Sequence, residues 1–100
     1  MFRDDINVNA IMMEHGISAT AARVLFEINR LVIVATTEGK KDSTGTPFCD
    51  VGCIKLGQMI GKSRRTIERA IAELKTAGLI YVKRVGLGHN DRIYMKGMEG

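Results

Sequence analysis

The sequence predicts an α+β fold that is mostly helical, with about three to four helices and a small antiparallel sheet. Three observations support this prediction. Apolar residues recur at helical spacing in two stretches, residues 18–37 and 63–77. Two short β-type runs, LIYVKRV and DRIYMK, are joined by the glycine-containing loop GLGHN. The chain has 100 residues, of which 45% are hydrophobic and 26% charged, as expected of one globular domain.

The chain is expected to form a single domain over residues 1–100. Residues 18–96 would form its core, with an N-terminal extension at 1–17 and a short tail at 97–100. No apolar run approaches the roughly 18 residues that a membrane span needs, and no secretory signal pattern opens the chain. A cytoplasmic protein that does not bind membranes is therefore expected.

Two helices are predicted in the first half of the chain. A short helix covers about residues 9–15 and is stopped by Gly16. Ser18 is a good N-cap for a longer helix, which ends near residues 36–37. One face of this helix is apolar and predicts the core contact: Ala21, Leu25, Ile28, Val32 and Ala35. Three charged residues are expected to lie off that face: Arg23, Glu27 and Arg30.

The middle of the chain predicts a loop, an extended segment and a short helix. Residues 38–47 are rich in Gly, Ser and Lys and end on the only proline, which is typical of a loop. The stretch PFCDV, residues 47–51, is an extended segment, and residues 52–61 form a short helix. Four apolar residues of that helix are expected to point inward: Ile54, Leu56, Met59 and Ile60.

The helix over residues 63–77 has two different faces. Ser63 is its predicted N-cap, and Gly78 is its stop. Four apolar residues at i, i+3, i+4 and i+7 are expected to pack inward: Ile67, Ala70, Ile71 and Leu74. The opposite face carries two arginines with short neighbours: Arg65, Arg69, Ala72 and Thr76. Such a face suits insertion into a groove, because short side chains allow the helix to approach closely.

Two arginines, Arg64 and Arg65, stand in the first turn of this helix. The helix dipole makes that turn partly positive, so cations there are mildly destabilising unless an anion from another molecule docks. The alternative is a solvated face that carries the i, i+4 pairs Arg64–Glu68 and Arg69–Glu73. Both pairs have the cation first, which is the weaker order, and this favours contact with DNA.

A tight turn at Gly61 joins the helices at 52–61 and 63–77, as in a helix-turn-helix whose second helix lies in the major groove. Gly57 costs the first helix about 1 kcal/mol relative to alanine, which is understandable if the second helix crosses close to its backbone. Five residues lie near the tip of the following hairpin: Lys83, Arg84, His89, Asn90 and Arg92. A basic hairpin in this position is a wing that can reach phosphates or the adjacent minor groove.

Charge is unevenly distributed along the chain. Residues 1–50 hold five Lys and Arg against seven Asp and Glu, a net −2. Residues 51–100 hold ten against four, a net +6. Basic charge concentrated in one half favours a polyanion as the partner of that half.

The stretch LGQMIGKSRRTIERAIAELKTAGLIYVKR, continuing into HNDRIYM, resembles the winged helix-turn-helix DNA-binding domains. The resemblance covers about residues 18–96. With its long first helix and polar loop, the chain is most similar to the domains of phage replisome organisers and plasmid replication initiators, and GntR-type regulators share the core motif. The sequence departs from the family pattern at Gly52, where Ser or Thr is usual, and at Gly57, where Ala is usual.

The resemblance implies a bacterial or phage-like protein that binds DNA in replication initiation or in transcription regulation. The recognition-helix positions that match are Ser63, Arg64, Arg65, Thr66 and Arg69. The matching wing positions are Lys83, Arg84 and Arg92.

The combined hypothesis is that the chain binds double-stranded DNA. Residues 63–77 would enter the major groove with Arg65 and Arg69 at base edges, where arginine can grip guanine with two hydrogen bonds. Lys62, Ser63 and Arg64 would hold phosphates near the helix start. The complete predicted site is Lys62, Ser63, Arg64, Arg65, Thr66, Arg69, Lys83, Arg84, His89, Asn90 and Arg92. A homodimer is left open, and it would imply half-sites about one helical turn apart.

The sequence argues against an enzyme and predicts no metal, cofactor or small-molecule ligand. It contains no Ser/His/Asp set, no paired carboxylates in an apolar setting and no Gly-rich phosphate loop after a strand. Cys49 and Cys53 form one C-x3-C pair, and His15 and His89 lie far from it in sequence, so two reduced thiols are expected. The alternative function is a winged-helix module that binds proteins, with apolar exposure on its first helix or in residues 1–16.

Overall fold

The computed structural model of the chain describes residues 8–96. Over that range the fold is mostly helical α+β, as predicted. The elements are α1 (Val8–His15), α2 (Ala19–Thr37), α3 (Cys53–Ile60), α4 (Arg64–Thr76), β1 (Ile80–Lys83) and β2 (Arg92–Met95). Residues 1–7 of the expected extension and the tail at 97–100 lie outside the described range. None of the helices in residues 8–96 is long and apolar enough to cross a membrane.

The helix α2 is the centre of the core and packs against α1, α3, α4 and β2. Ser18 caps it as predicted, since the Ser18 Oγ accepts a hydrogen bond from the backbone N–H of Ala21 at 3.1 Å. All five residues of the predicted apolar face are buried. The predicted packing of this helix is therefore confirmed.

Glu27 is buried, although the helical pattern predicts it off the core-facing side. Its carboxylate accepts hydrogen bonds from Arg23 Nη1 at 3.2 Å and from Arg30 Nε at 2.8 Å. A buried carboxylate needs such charged partners, and the two arginines supply them. Arg23 and Arg30 therefore belong to the structure of α2 rather than to a free basic surface.

The turn between α3 and α4 is centred on Gly61, whose backbone φ of +82° is in the left-handed region. The N–H groups of Gly61 and Lys62 both donate to the carbonyl oxygen of Gly57, at 2.7 and 2.9 Å. A Cβ at Gly57 would lie 2.4 Å from the carbonyl oxygen of Lys62 and 3.6 Å from Cγ1 of Ile67. A close approach at Gly57 is thus confirmed, but the nearest backbone is the turn and not α4 itself.

The short helix α3 packs by one side only. Leu56 is fully buried and Ile60 is packed against the core, as predicted. Ile54 and Met59 were predicted to point inward, and this is wrong: they are 59% and 36% exposed. With about 3.6 residues per turn, these two positions flank the side that carries Leu56 and Gly57. By contrast, the predicted apolar face of α4 is buried along its whole length.

The strands β1 and β2 form an antiparallel hairpin in which Ile80 pairs with Met95 and Lys83 pairs with Arg92. The predicted extended segment at 47–51 lies beside it, because Cys49 and Ile93 exchange backbone hydrogen bonds of 2.9 and 2.7 Å. Four helices, a short extended segment and a hairpin together give a winged-helix-like arrangement.

Candidate nucleic-acid interface

The first turn of α4 is held at the surface by its own capping residues. The Oγ of Ser63 accepts a hydrogen bond from the backbone N–H of Thr66 at 3.2 Å, and the two hydroxyl oxygens are 2.9 Å apart. Lys62 is exposed directly before this turn. Ser63 and Thr66 are therefore engaged in fixing the helix start, whereas Lys62 extends into solvent.

Arg65 and Arg69 extend from the exposed face of α4, opposite its buried residues. Neither forms an ion pair with another described residue. Ala72 and Thr76, further along the same face, are short and exposed. The structure thus brings together two cations without acidic partners on a helix face that can approach a groove closely.

Of the two ion pairs on α4 that the alternative of a solvated face implies, only one forms. Arg64 Nε donates to Glu68 Oε2 at 3.2 Å. The pair of Arg69 with Glu73 does not form, because Glu73 instead accepts hydrogen bonds from the backbone N–H and the Oγ of Ser18, at 2.6 and 2.9 Å. Two hydrogen bonds to the start of α2 replace one exposed ion pair. Arg64 is therefore partly neutralised, and Arg69 is not.

Two other predicted site residues, Lys83 and Arg92, lie on the hairpin face that points away from the helices. Strand residues alternate between faces, and Ile80, Val82, Ile93 and Met95 contact the core. The opposite face, which we call the outer face, comprises Tyr81, Lys83, Arg92 and Tyr94, with Phe48 packed on it. The Arg92 guanidinium carbon lies 4.3 Å from the centre of the Phe48 ring. Arg92 therefore lies at the loop end of the strands, against an aromatic ring.

The loop between the strands presents Arg84 and His89 to solvent. Gly86 and Gly88 have positive φ values, and the backbone N–H of His89 donates to the carbonyl oxygen of Gly86 at 3.3 Å. Leu87 between the glycines is fully exposed. The wing therefore has a compact tip with basic side chains before it.

Asn90 is the exception among the wing residues, because it folds back onto α3. Its Oδ1 lies 2.8 Å from the position that a Cβ would take at Gly52. Gly52 is the N-cap of α3 and makes no side-chain capping bond. A Ser or Thr side chain at position 52 would require the Asn90 side chain to move. The two residues are distant in sequence, so local patterns could not reveal the contact.

A cleft of about 460 Å³ lies between α3, α4 and the hairpin. Its charged lining is balanced, with two cations and two carboxylates besides His89: Arg64, Lys75, Glu68 and Asp91. Balanced charge does not favour a polyanion. The cleft is therefore a poorer candidate for DNA contact than the exposed face of α4.

The two cysteines are free thiols, of which Cys49 is buried and Cys53 half-buried. Burial raises the pKa of Cys49 to about 11, and it also raises the pKa of Cys53. Thiols with raised pKa values are weak nucleophiles at neutral pH. Across residues 8–96, no group of three or more His, Cys, Asp and Glu side chains is arranged to hold a metal ion.

No protein-family model and no curated protein matches this sequence. Among solved structures, the chain resembles the N-terminal domain of a DNA-binding protein, with a TM-score of 0.69 and 15% identity over 79% of this chain. It also resembles a chain from the structure of a Rep–DNA complex, with a TM-score of 0.74 and 13% identity. That match covers 89% of this chain and 72% of the other. The chain spans only 60% of the length of the first structure. At these identities the likeness shows the fold, which this chain shares with both proteins.

Proposed function

We propose that this chain binds double-stranded DNA, with α4 in the major groove and the hairpin as a wing. The observation that carries the proposal is the pair Arg65 and Arg69, which is exposed and has no acidic partner among residues 8–96. An α-helix fits the major groove, and arginine is the commonest side chain in specific base contacts there. The fold adds support, because both similar structures come from proteins named for DNA binding.

The predicted site residues of α4 divide by role. Arg65 and Arg69 reach base edges, because both stand on the most exposed side of the helix and are not neutralised. Lys62 contacts a phosphate beside the helix start, and Arg64 contributes less, since Glu68 already pairs with it. Ser63 and Thr66 act indirectly, by fixing the turn whose N–H groups face the DNA backbone.

The predicted site residues of the hairpin also divide into those that contact DNA and those that pack against the protein. Lys83, Arg84 and His89 are exposed, and they bind phosphates or the edge of the minor groove. Asn90 is also exposed and lies beside the start of α3, and Arg92 packs on the ring of Phe48. The wing thus adds affinity, while base discrimination belongs to α4.

The process we propose is replication initiation. The resemblance to replisome organisers and plasmid initiators favours it, and so does the structural likeness to a protein from a Rep–DNA complex. In this role the chain acts in the cytoplasm by binding DNA and not by catalysis. Its location on the origin is then set by the base contacts of Arg65 and Arg69.

The test is duplex binding across a salt series, from roughly 50 to 300 mM. The probe is a random duplex of about 25 base pairs, which is longer than two helical turns. We expect log K to fall steeply with log salt, by about 0.9 for each phosphate neutralised. The double variant Arg65→Ala/Arg69→Ala should weaken binding at least about tenfold, because two cations lose their contacts with the duplex and fewer counterions are released.

The control is Lys40→Ala/Lys41→Ala, which removes the same charge from the loop at 38–47, where no DNA contact is predicted. Lys40 also loses its ion pair with Asp50. This variant should bind the duplex within about twofold of the wild type, because distant exposed charges are screened by salt. Equal losses in the two double variants would show that only net charge matters, and the recognition role of α4 would be wrong.

A protein-binding module is the second candidate. Met13 on α1 is 87% exposed, and Ile54 on α3 is also exposed, so apolar side chains are available outside α4. If the wild-type chain binds no duplex even at low salt, DNA binding is excluded. This second function would then take its place.

A further inference from the structure

The carboxylate of Glu73 leaves its own helix and binds the start of another. Its Oε2 accepts a hydrogen bond from the backbone N–H of Ser18 at 2.6 Å, and its Oε1 accepts one from the Ser18 Oγ at 2.9 Å. The same Oγ accepts a bond from the N–H of Ala21. The Ser18 hydroxyl therefore donates one hydrogen bond, to Glu73, and accepts another, from Ala21.

This arrangement is a capping box made between two helices. In the usual form, an N-cap Ser is followed three residues later by a Glu that reaches back to the N-cap N–H. Here that position is Ala21, and the Glu comes from α4, 55 residues further along the chain. The contact therefore fixes α4 against α2, which no capping box within one helix could do.

The contact also decides which cations of α4 are free. Only two carboxylates lie within α4, and both are occupied: Glu68 by Arg64, and Glu73 by Ser18. Glu73 is the only acidic residue one helical turn away from Arg69 along α4. If Ser18 released Glu73, the carboxylate would return to i, i+4 range of Arg69 and compete with any phosphate or base for that guanidinium.

We propose that Glu73 is a positioning residue for nucleic-acid binding, and that Ser18 holds its carboxylate on α2 so that Arg69 stays available to DNA. The inference rests on the proposed function of α4. It adds a role for two residues, Ser18 and Glu73, that touch no DNA themselves.

Two substitutions at one position separate this role from simple helix capping. Asp and Asn are both good N-caps, so Ser18→Asp and Ser18→Asn each retain the bond from the Ala21 N–H. Asn can still donate to Glu73, whereas Asp repels it. We expect Ser18→Asp to bind the random duplex about two- to fivefold more weakly than Ser18→Asn, the range of one exposed ion pair. In an Arg69→Ala background the difference between the two should disappear.

A measurement without DNA tests the contact itself. The side-chain Nε–H signal of Arg69 in NMR spectra should shift in Ser18→Asp and not in Ser18→Asn, and Glu73→Gln should abolish the shift. An unchanged Arg69 signal would overturn the proposal. So would a binding difference between the Asp and Asn variants that persists without Arg69. If the Arg69 signal shifts as expected but the wild type binds no duplex, then the contact stands and the DNA-binding function fails.

Discussion

The two basic surfaces of the molecule are held in place in different ways. On α4, the buried face fixes the helix, and Arg65 and Arg69 project into solvent with no ion-pair partner among residues 8–96. On the outer face of the hairpin, Arg92 rests against Phe48, and Lys96 lies over the ring of Tyr81. On α4 the two cations extend from a packed helix, whereas on the hairpin Arg92 and Lys96 lie against aromatic rings and Lys83, Arg84 and His89 are exposed.

This difference suits α4 to base contacts and the hairpin to phosphate contacts. Reading a base requires a guanidinium placed accurately in the major groove, which a helix packed along four buried residues provides. Contact with phosphates tolerates more variation, because the phosphate backbone is the same at every sequence. A short hairpin with an exposed tip meets that weaker requirement.

The anchors of the two surfaces differ as well. The position of α4 depends on the turn centred on Gly61, where the Lys62 carbonyl oxygen lies close to Gly57 of α3. The hairpin depends on Asp42, whose Oδ2 accepts a hydrogen bond from the Tyr94 hydroxyl at 2.9 Å. The Oδ1 of Asp42 accepts bonds from Thr44 and from the backbone N–H of Thr46. Each anchor can be changed without touching the other.

The largest effect on the free energy of unfolding is expected from Gly57→Ala. Alanine is better than glycine by about 1 kcal/mol inside a helix, so an unconstrained site would be stabilised. Here the added Cβ would meet the Lys62 carbonyl oxygen at 2.4 Å, and the turn that positions α4 would have to shift. We expect a net loss of roughly 2–4 kcal/mol in the free energy of unfolding. Urea denaturation followed by circular dichroism measures it.

Gly61→Asn is the control for this prediction, since Asn tolerates the left-handed conformation and nothing lies within 4 Å of a Cβ there. It should cost less than about 1 kcal/mol. If Gly57→Ala stabilises the protein, or costs no more than Gly61→Asn, the turn does not constrain α4 as the structure indicates.

The next largest effect is on DNA binding, and it comes from two double variants, one on each surface. Lys83→Ala/Arg84→Ala should lower the slope of log K against log salt by about 2, and should weaken binding to all duplexes alike. Arg65→Ala/Arg69→Ala should in addition flatten the preference among sequences, because base contacts are lost. Selection from a random duplex library, sequenced after binding to each variant, measures that preference. If the hairpin variant loses sequence preference and the α4 variant keeps it, then the assignment of roles is reversed.

Much of α4 could be predicted from sequence, because the spacing of residues within the helix decides which side chains are buried. The spacing of Ile67, Ala70, Ile71 and Leu74 fixed the buried face, and Arg65 and Arg69 followed on the opposite side. The hairpin and its loop were likewise visible as two β-type runs around glycines. Helical and strand periods are sufficient wherever a side chain only has to point inward or outward.

Contacts between distant parts of the chain could not be predicted in this way. The local spacing allows Glu73 to pair with Arg69, four residues away, but its partner is Ser18 at the start of α2. Likewise, Asn90 was expected at the wing tip and instead lies over Gly52. Local spacing identifies which pairs can form, but the packing of the helices decides which of them do.

The smallest effect on stability, confined to the hairpin and the loop at 38–47, is expected from Asp42→Asn. Hydrogen bonds from the Thr44 side chain and the Thr46 backbone, with one from Tyr94, lower the pKa of Asp42 well below 3.8. A lowered pKa means that the carboxylate stabilises the fold above about pH 4 and that this contribution is lost as the pH falls. The wild type should therefore be more stable than Asp42→Asn between about pH 5 and 8, and the difference should shrink below about pH 4. Amide hydrogen exchange should quicken at β2 and stay unchanged in α4. A change of equal size in α4 would mean that the two surfaces are not anchored separately.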